Sequence, residues 1–478
     1  MIEWKVDHRE EVRMAQHNEN LVAYLASPDD QKELQTQENH LFCPDLDLMY
    51  PNIRGIPWLF KDPSASLLQW QAKTQMTVNQ LNYSIQSTKS SMPAKGLNKK
   101  TKQRMKKMIE AETQNLDVLK IALSPLFAYK LDQLSAVQSL KSRVGATQDI
   151  FSYENTLFRD WAFHDQSYTA NHDALDFILK GMPKDLKLES FLVLGPGACR
   201  LPIDLARNLN PEITIAADIN PFLTLIAQKL LAGETVKYYE IPGAPTGFET
   251  SAVERVLKMT DIAPNNFHFV LTDALGLPFR SQAMSLILTP WFIDIIHQDL
   301  AKFLQGLNRC VKEGGYWMSF GPLLFDHRGY EGRYTFDEIK IIAEKNGFHI
   351  ENHQSKVMPY LNSDASAHRR SDLLHLIVAQ KVKEVSPPSK KENYLPPWIL
   401  DPTIPVPRED YLARKAASMC LMHQIFSQVD GQKSLGDMTT VLRENYGMDE
   451  SQALQAILGV FTEVYEENIS TKYRGISS

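Results

Sequence analysis

From Phe191 onward, short runs of apolar and β-branched residues alternate with segments whose apolar positions recur every three to four residues. FLVLG, ITIAAD, FHFVLTD, MSLILTPW and YWMSFGPL have the composition of buried strands. Between them Leu201–Asn208, Pro221–Ala232 and Asp299–Val311 carry helical periodicity, and Thr335–Asn346, closed by Gly347, predicts another helix. Further strands are predicted at Phe348–Ile350 and His375–Gln380. Such βαβα alternation predicts an α/β fold with a parallel, doubly wound, Rossmann-like sheet of seven strands.

The flanks are patterned differently. From Lys89 to Lys107 runs KSSMPAKGLNKKTKQRMKK, basic and poor in apolar residues. It reads as an exposed linker entering a charged helix near Thr101; no aromatic residue interleaves, so a solvated charge run is favoured over a nucleic-acid or acidic-partner patch. At KVKEVSPPSKKENYLPPWILDPTIPVP, prolines, lysines and serines displace the apolar periodicity. The expected order is a short segment 1–62, a helical region 63–150, the α/β domain 151–383, a linker 384–408 and a small, mostly helical domain 409–478 with a turn at Asp430-Gly431.

Composition narrows the class. The 478 residues are 43% hydrophobic and 23% charged with a net charge of −6, as expected of two or three ordinary globular domains. The acidic excess disfavours nucleic acid as a bulk partner but leaves room for a local basic patch. Cys43, Cys199, Cys310 and Cys420 are too scattered for a disulfide framework or a local cysteine zinc site. The N-terminus MIEWKVDHREEV lacks an apolar h-region, and no apolar run approaches the ~20 residues needed to cross a bilayer. A cytoplasmic protein without membrane attachment is expected.

Candidate chemistry concentrates in FLVLGPGACRLPIDLARNL, a strand followed by Gly195-Pro196-Gly197 and a helix. Glycines allow close backbone approach to a ligand, and Asp218, at the tip of the next strand, can accept both hydroxyls of a ribose. A dinucleotide fingerprint continues as G-x-G-x-x-G; here Cys199 stands two positions after Gly197, and Arg200-Leu201 do not continue it. The loop with its distal acid fits S-adenosylmethionine better than NAD. Asp273, in VLTDALGLPF, is the third anchor, after a third strand. Taken singly, Gly197 also suits a tight turn, Asp218 a helix cap and Asp273 a turn former.

The run WFIDIIHQDLAKFLQGLNRCVKEGGYWMSFGPLLFDH resembles the carnosine N-methyltransferase family, whose members carry F-[FI]-I-D-T-A-H-N and, after a helix and K-P-G-G, W-I-N-L-G-P-L-L-Y-H. FRDWAFHDQ is similar to that family's V-R-D-W-S segment, so the resemblance covers roughly 156–380. It implies S-adenosyl-L-methionine as cofactor, with Arg159, Gly195, Gly197, Asp218 and Asp273 on its side, Asp218 at the ribose and Asp273 at the adenine. On the acceptor side it implies Asp294, Asp326, His327 and Tyr360, the last resembling a tyrosine of a substrate lid. The chain departs from the family pattern at Cys199, where a third glycine stands in the family, at Gln298, and at Phe325-Asp326-His327 in place of tyrosine-histidine. Arg159 also suits a pairing with a neighbouring acid, Asp294 a helix cap and Tyr360 plain packing.

Two flanking resemblances complete the picture. CPDLDLMYPNIRGIPWLF is similar to the second half of the zinc-ribbon activator of tRNA and protein methyltransferases, but Leu46 occupies the place of the partner of Cys43, so no metal is expected. Packing by Trp58 and Phe60 against the following helices is the expected substitute. The tail VDGQKSLGDMTTVLRENYGMDESQALQAILGVFTEVYEEN resembles PqqD-type peptide-chaperone modules, which implies a precursor peptide adding a strand to a small sheet edge, although its Leu, Met and Ile spacing is equally that of any small helical core. The expected function is an N-methyltransferase acting on an imidazole of histidine in a small molecule or peptide. The alternative is a peptide-binding scaffold whose methyltransferase domain binds cofactor without turnover.

Overall fold

The computed structural model describes residues 19–474, except 29, 38–39, 130–147, 164–169, 265, 297, 326–328, 389–396, 402 and 409. The chain divides into two compact units, Met1–Leu395 and Pro396–Ser478.

After a helical turn at Glu19–Val22, the first unit forms four short strands, β1 (Gln35–Gln37), β2 (His40–Cys43), β3 (Leu48–Ile53) and β4 (Ile56–Leu59). Two long helices follow, α1 (Pro63–Ser91) and α2 (Lys99–Leu123), then α3 (Asn155–Trp161) and α4 (Ala170–Gly181). The α/β domain proper runs β5 (Ser190–Leu194), α5 (Arg200–Leu209), β6 (Ile213–Asp218), α6 (Pro221–Leu231), β7 (Val236–Glu240), β8 (Val253–Leu257) and β9 (Phe267–Thr272). It continues with β10 (Met284–Pro290), α7 (Leu300–Cys310), β11 (Val311–Gly321), α8 (Phe336–Lys345), β12 (Phe348–Tyr360) and β13 (Arg370–Lys381).

Strands β9-β6-β5-β10-β11-β13-β12 lie side by side, parallel as far as β11, with β13 antiparallel to both its neighbours. This is the doubly wound, Rossmann-like sheet. Its central strands are wholly buried, β5 and β10 at every position, as a sheet covered by helices on both faces requires. Local chemistry sets the helix starts. Asn220 caps α6 ahead of Pro221, Asp299 caps α7, and Thr335 with Glu338 forms a capping box on α8.

The expected seven-stranded count is corrected to an eleven-stranded sheet, because β4 pairs in parallel with β9, Trp58 opposite Leu271 and Leu59 opposite Thr272. The N-terminal segment thereby covers an edge that would otherwise present unpaired backbone groups, and the hydroxyl of Thr272 donates to the Leu59 carbonyl at 2.7 Å. Trp58 is fully buried, and its indole N–H donates to Ser66 Oγ in α1 at 2.8 Å. At ~25 cal/mol per Å2 and roughly 200 Å2 for such a side chain, its burial contributes at most about 5 kcal/mol. Cys43 is buried beside Leu41 and Tyr50 in an apolar cluster.

The basic stretch 89–107 is shorter as a linker than its composition suggests. Both ends are helical, with 92–98 turning between α1 and α2. Strands β12 and β13 are longer than their apolar patterns indicate, since β12 is mostly exposed or half-buried and its polar residues mask it. The second unit contains α9 (Asp410–Phe426), α10 (Thr439–Tyr446) and α11 (Glu450–Arg474), packed around Ile425, Met438, Leu442, Ala453 and Ile457. Asp430 turns the chain after α9 by accepting the amides of Gln432 and Lys433, each at 2.9 Å. Among its described residues this unit has no strand, so the sheet edge needed for strand addition is not among them.

Candidate active site

The strand order reverses between β5 and β10, and loops leaving neighbouring strands at such a point splay apart to leave a crevice. A cleft of about 340 Å3 lies there. Four consecutive strand ends supply its walls: Gly195 and Gly197 after β5, Asp218 at the tip of β6, Asp273 after β9, and Trp291 with Phe292 after β10. Arg159 and Tyr153, from α3 and the turn before it, and Tyr360 at the end of β12 complete it.

Gly195 and Gly197 have φ of 68° and 60°, the left-handed region that glycine enters without cost. A Cβ on Gly195 would stand 2.3 Å from Cδ2 of Phe292, so the ring closing over the loop also requires glycine. The Gly197 amide donates to Asp218 Oδ2 at 3.3 Å, and the Asn220 amide donates to Oδ1 at 2.8 Å. Because Asn220 takes the helix cap, Asp218 is not a cap, and its carboxyl points at the loop. Burial outweighs those amide bonds and pushes its pKa up to about 6. Cys199, which stands where the family pattern has a glycine, has φ 70°, in the left-handed region that favours glycine, and is fully buried.

The Arg-Asp-Trp segment of α3 clamps this loop from below. Arg159 Nε donates to Asp160 Oδ1 at 2.6 Å, and the other oxygen of Asp160 accepts the Arg200 amide at 3.4 Å. The Trp161 indole donates to the Ala198 carbonyl at 2.7 Å. Arg159 thus pairs with a neighbouring acid and also lines the cleft, its guanidinium 4.9 Å from the Trp291 ring centre. Asp273 begins a 3-10 turn by accepting the Leu275 amide at 2.9 Å, so it serves as a turn former and as a wall residue together.

On the opposite flank the ring of Tyr360 lies 5.9 Å from that of Trp291, and the Arg370 guanidinium lies over it, 4.5 Å from its centre. Asp294 is only 5% exposed and does not line the cleft. It accepts the Leu324 amide at 3.3 Å; the cap of the following helix is Asp299 instead. Its charge nevertheless reaches the cleft, since it helps to hold the phenols of Tyr153 and Tyr360 protonated, after the larger effect of burial. Tyr153, pushed up to about 12, also feels Tyr360 and Asp218. Asp326 and His327 lie outside the described residues.

Asp160, Trp161, Trp291 and Tyr153 were not singled out from the sequence. The first two adjoin Arg159 in the quoted FRDWAF, and a conspicuous Trp beside the FID motif was the available signal for Trp291. Tyr153 has φ 64°, which nothing in its local sequence announces.

The model of the carnosine N-methyltransferase family matches residues 137–381, just over half of the chain. Carnosine N-methyltransferase unmet of Drosophila melanogaster is 24% identical over 237 residues, which cover 45% of this chain and 51% of the fly protein. The matched region thus spans about half the length of that relative. Carnosine N-methyltransferase of Schizosaccharomyces pombe is 21% identical over 297 residues, 55% of this chain and 78% of the yeast protein. A solved S-adenosylmethionine-dependent methyltransferase of Aquifex aeolicus aligns at a TM-score of 0.32 and 16% identity, covering 48% of this chain and all of that one. By the extent of the family match, this chain belongs to the carnosine N-methyltransferase family.

Proposed function

We propose that the protein is an S-adenosylmethionine-dependent N-methyltransferase whose acceptor is an imidazole nitrogen of a histidine derivative, a small molecule or a peptide. The observation that carries this reading is the joint placement of Gly195, Gly197, Asp218, Asp273 and Arg159 around one cleft at the point where the strand order reverses. The fit to the cofactor rests on the donor and acceptor set. A loop with no side chains at Gly195 and Gly197 allows close approach, and a buried carboxyl near pH 6 gains from hydroxyl donors. The cleft volume is that of a small-molecule site.

In this reading Asp218 accepts the ribose hydroxyls, Asp273 accepts the adenine amino group, and Arg159, held by Asp160, meets the carboxylate of the methionine part. The bound cofactor supplies an electrophilic methyl group on a sulfonium. The chain's own residues then position the acceptor and exclude water, which is most of what an in-line displacement requires. A neutral imidazole has a free lone pair on one nitrogen and a proton on the other. Trp291 and Tyr360 supply aromatic surface for such a ring, and the charge of Asp294 favours the imidazolium that develops as the bond forms. Tyr153 and Tyr360, kept protonated, serve as hydrogen-bond donors.

Calorimetric titration tests the cofactor half of this reading. S-adenosylhomocysteine is expected to bind the wild type and to bind Asp218→Ala at least tenfold more weakly, a loss of about 1.4 kcal/mol or more. Binding of NADH in its place would overturn the assignment.

A further inference from the structure

Between Pro63 and Ile109 the sequence holds nine Lys and Arg and no Asp or Glu, in a chain whose net charge is −6. The acidic excess of the whole is therefore unevenly distributed, and the structure shows where the cations go. They lie on the hairpin of α1 and α2, whose proximal half is anchored by buried residues up to Ile85 in α1 and from Ala111 in α2. From residue 86 to residue 110 no side chain is buried. The distal half is thus a helical arm without a core of its own, carrying Lys89, Lys95, Lys99, Lys100, Lys102, Arg104, Lys106 and Lys107.

Stability does not explain this composition. The first turn of α2 contains no acid and begins Lys-Lys-Thr-Lys, opposite to what the helix dipole favours. Of the α2 cations, Lys107 meets an acid, Glu249 at 3.6 Å, whereas Lys99, Lys100, Lys102, Arg104 and Lys106 make no ion pair among the described residues. At 100° per residue Lys99 and Lys106 lie opposite the half-buried Thr101, Met105 and Met108, with Lys100, Lys102 and Arg104 on the flanks. From Lys99 to Lys107 the cationic face runs about 12 Å at the helical rise of 1.5 Å per residue. That is several phosphate spacings of a nucleic-acid strand.

We infer that this basic arm is a docking surface for the phosphodiester backbone of a nucleic acid, formed by residues that do not line the cleft. The chemistry selects against other partners. The face offers no exposed Trp, Phe or Leu to enter a bilayer interface and no aromatic anchor for a protein interface core. Its charge is almost all lysine, a point charge suited to phosphates without base readout, rather than the bidentate fork of arginine.

Fluorescence anisotropy with the full chain tests it, using an oligouridylate and an RNA duplex of about 20 nucleotides per strand, chosen to exceed the length of the arm. Binding at low salt is expected, with log K falling against log[salt] at a slope of about −3 on the single strand for four neutralised phosphates. The variant carrying Lys99→Gln, Lys100→Gln, Lys102→Gln, Arg104→Gln and Lys106→Gln should lose at least tenfold in affinity with an unchanged melting temperature. Lysine-to-arginine replacement at the four lysines should retain binding. Absence of binding by the wild type at low salt, or equal binding by the glutamine variant, would overturn the inference. So would tighter binding to anionic phospholipid vesicles or to polyglutamate than to either RNA.

Discussion

The guanidinium of Arg159 lies over the indole of Trp291, 4.9 Å from the ring centre, while its Nε is held by Asp160 at 2.6 Å. Three elements meet in that contact: α3, the loop after β10 and, through the second oxygen of Asp160, the start of α5. A planar cation fixed at its edge by a carboxylate can stack on an aromatic face, and an ammonium cannot reproduce both bonds. Arg159→Lys should therefore weaken binding of S-adenosylhomocysteine about tenfold or more, with a smaller effect on melting temperature. Calorimetry beside a thermal melt reads both, and unchanged affinity would mean that the pairing is structural only.

The two loop glycines separate conformational from steric demand. Both have positive φ, but a Cβ on Gly195 meets the Phe292 ring at 2.3 Å whereas one on Gly197 meets Thr156 no closer than 3.6 Å. Gly195→Ala should cost more stability than Gly197→Ala, which bears the left-handed backbone strain of about 1–3 kcal/mol without a clash. Gly195→Ala/Phe292→Ala should recover part of the difference. Equal melting temperatures for the two single variants would remove the role assigned to Phe292.

Asp218 sets opposite pH trends for the free and the bound protein. In the free fold its carboxyl is raised to about 6, so the stability it contributes is full below the ordinary carboxylate range and is lost as pH rises through about 6. Hydroxyl donors of a bound ribose favour the ionised form, so affinity for S-adenosylhomocysteine should rise with pH through the same point. At one pH unit below it, binding should be about tenfold weaker than the plateau. Asp218→Asn should flatten both profiles, and an affinity in the wild type independent of pH between 5 and 7, a window chosen to bracket that value, would contradict the ribose contact.

What could be read from the sequence followed from local pattern. Runs such as FLVLG and FHFVLTD carry the apolar composition that buried parallel strands require, and Asn220-Pro221 and Thr335 with Glu338 are start signals for helices. The pairing of Trp58 with Leu271 across more than two hundred residues has no local signature, so the extension of the sheet was hidden. In the site, Gly195, Gly197, Asp218 and Asp273 follow strand ends directly and stood out by spacing. Tyr153 reaches the cleft through a left-handed turn, and Asp160 acts through bonds to Arg159 and Arg200, both consequences of tertiary contact. Asp294 is placed at the acceptor by motif alone; in the fold it is buried and accepts the Leu324 amide, and its charge acts on Tyr153 and Tyr360 of the cleft.

The most direct test is to follow the methyl group. The full chain is incubated with methyl-deuterated S-adenosylmethionine and a histidyl dipeptide, and the labelled position is located by mass spectrometry and NMR, for wild type and Asp294→Asn on matched preparations. The label is expected on a ring nitrogen of the imidazole. The variant should transfer it about 10²-fold more slowly, with S-adenosylhomocysteine affinity and melting temperature near wild type, by the scale of a lost electrostatic contact to developing charge. A drop of roughly 1 kcal/mol in stability with turnover per folded molecule unchanged would reduce Asp294 to an anchor for the Leu324 amide. Label on the amine, or no transfer by a wild type that binds S-adenosylhomocysteine, would contradict methylation of an imidazole in this cleft.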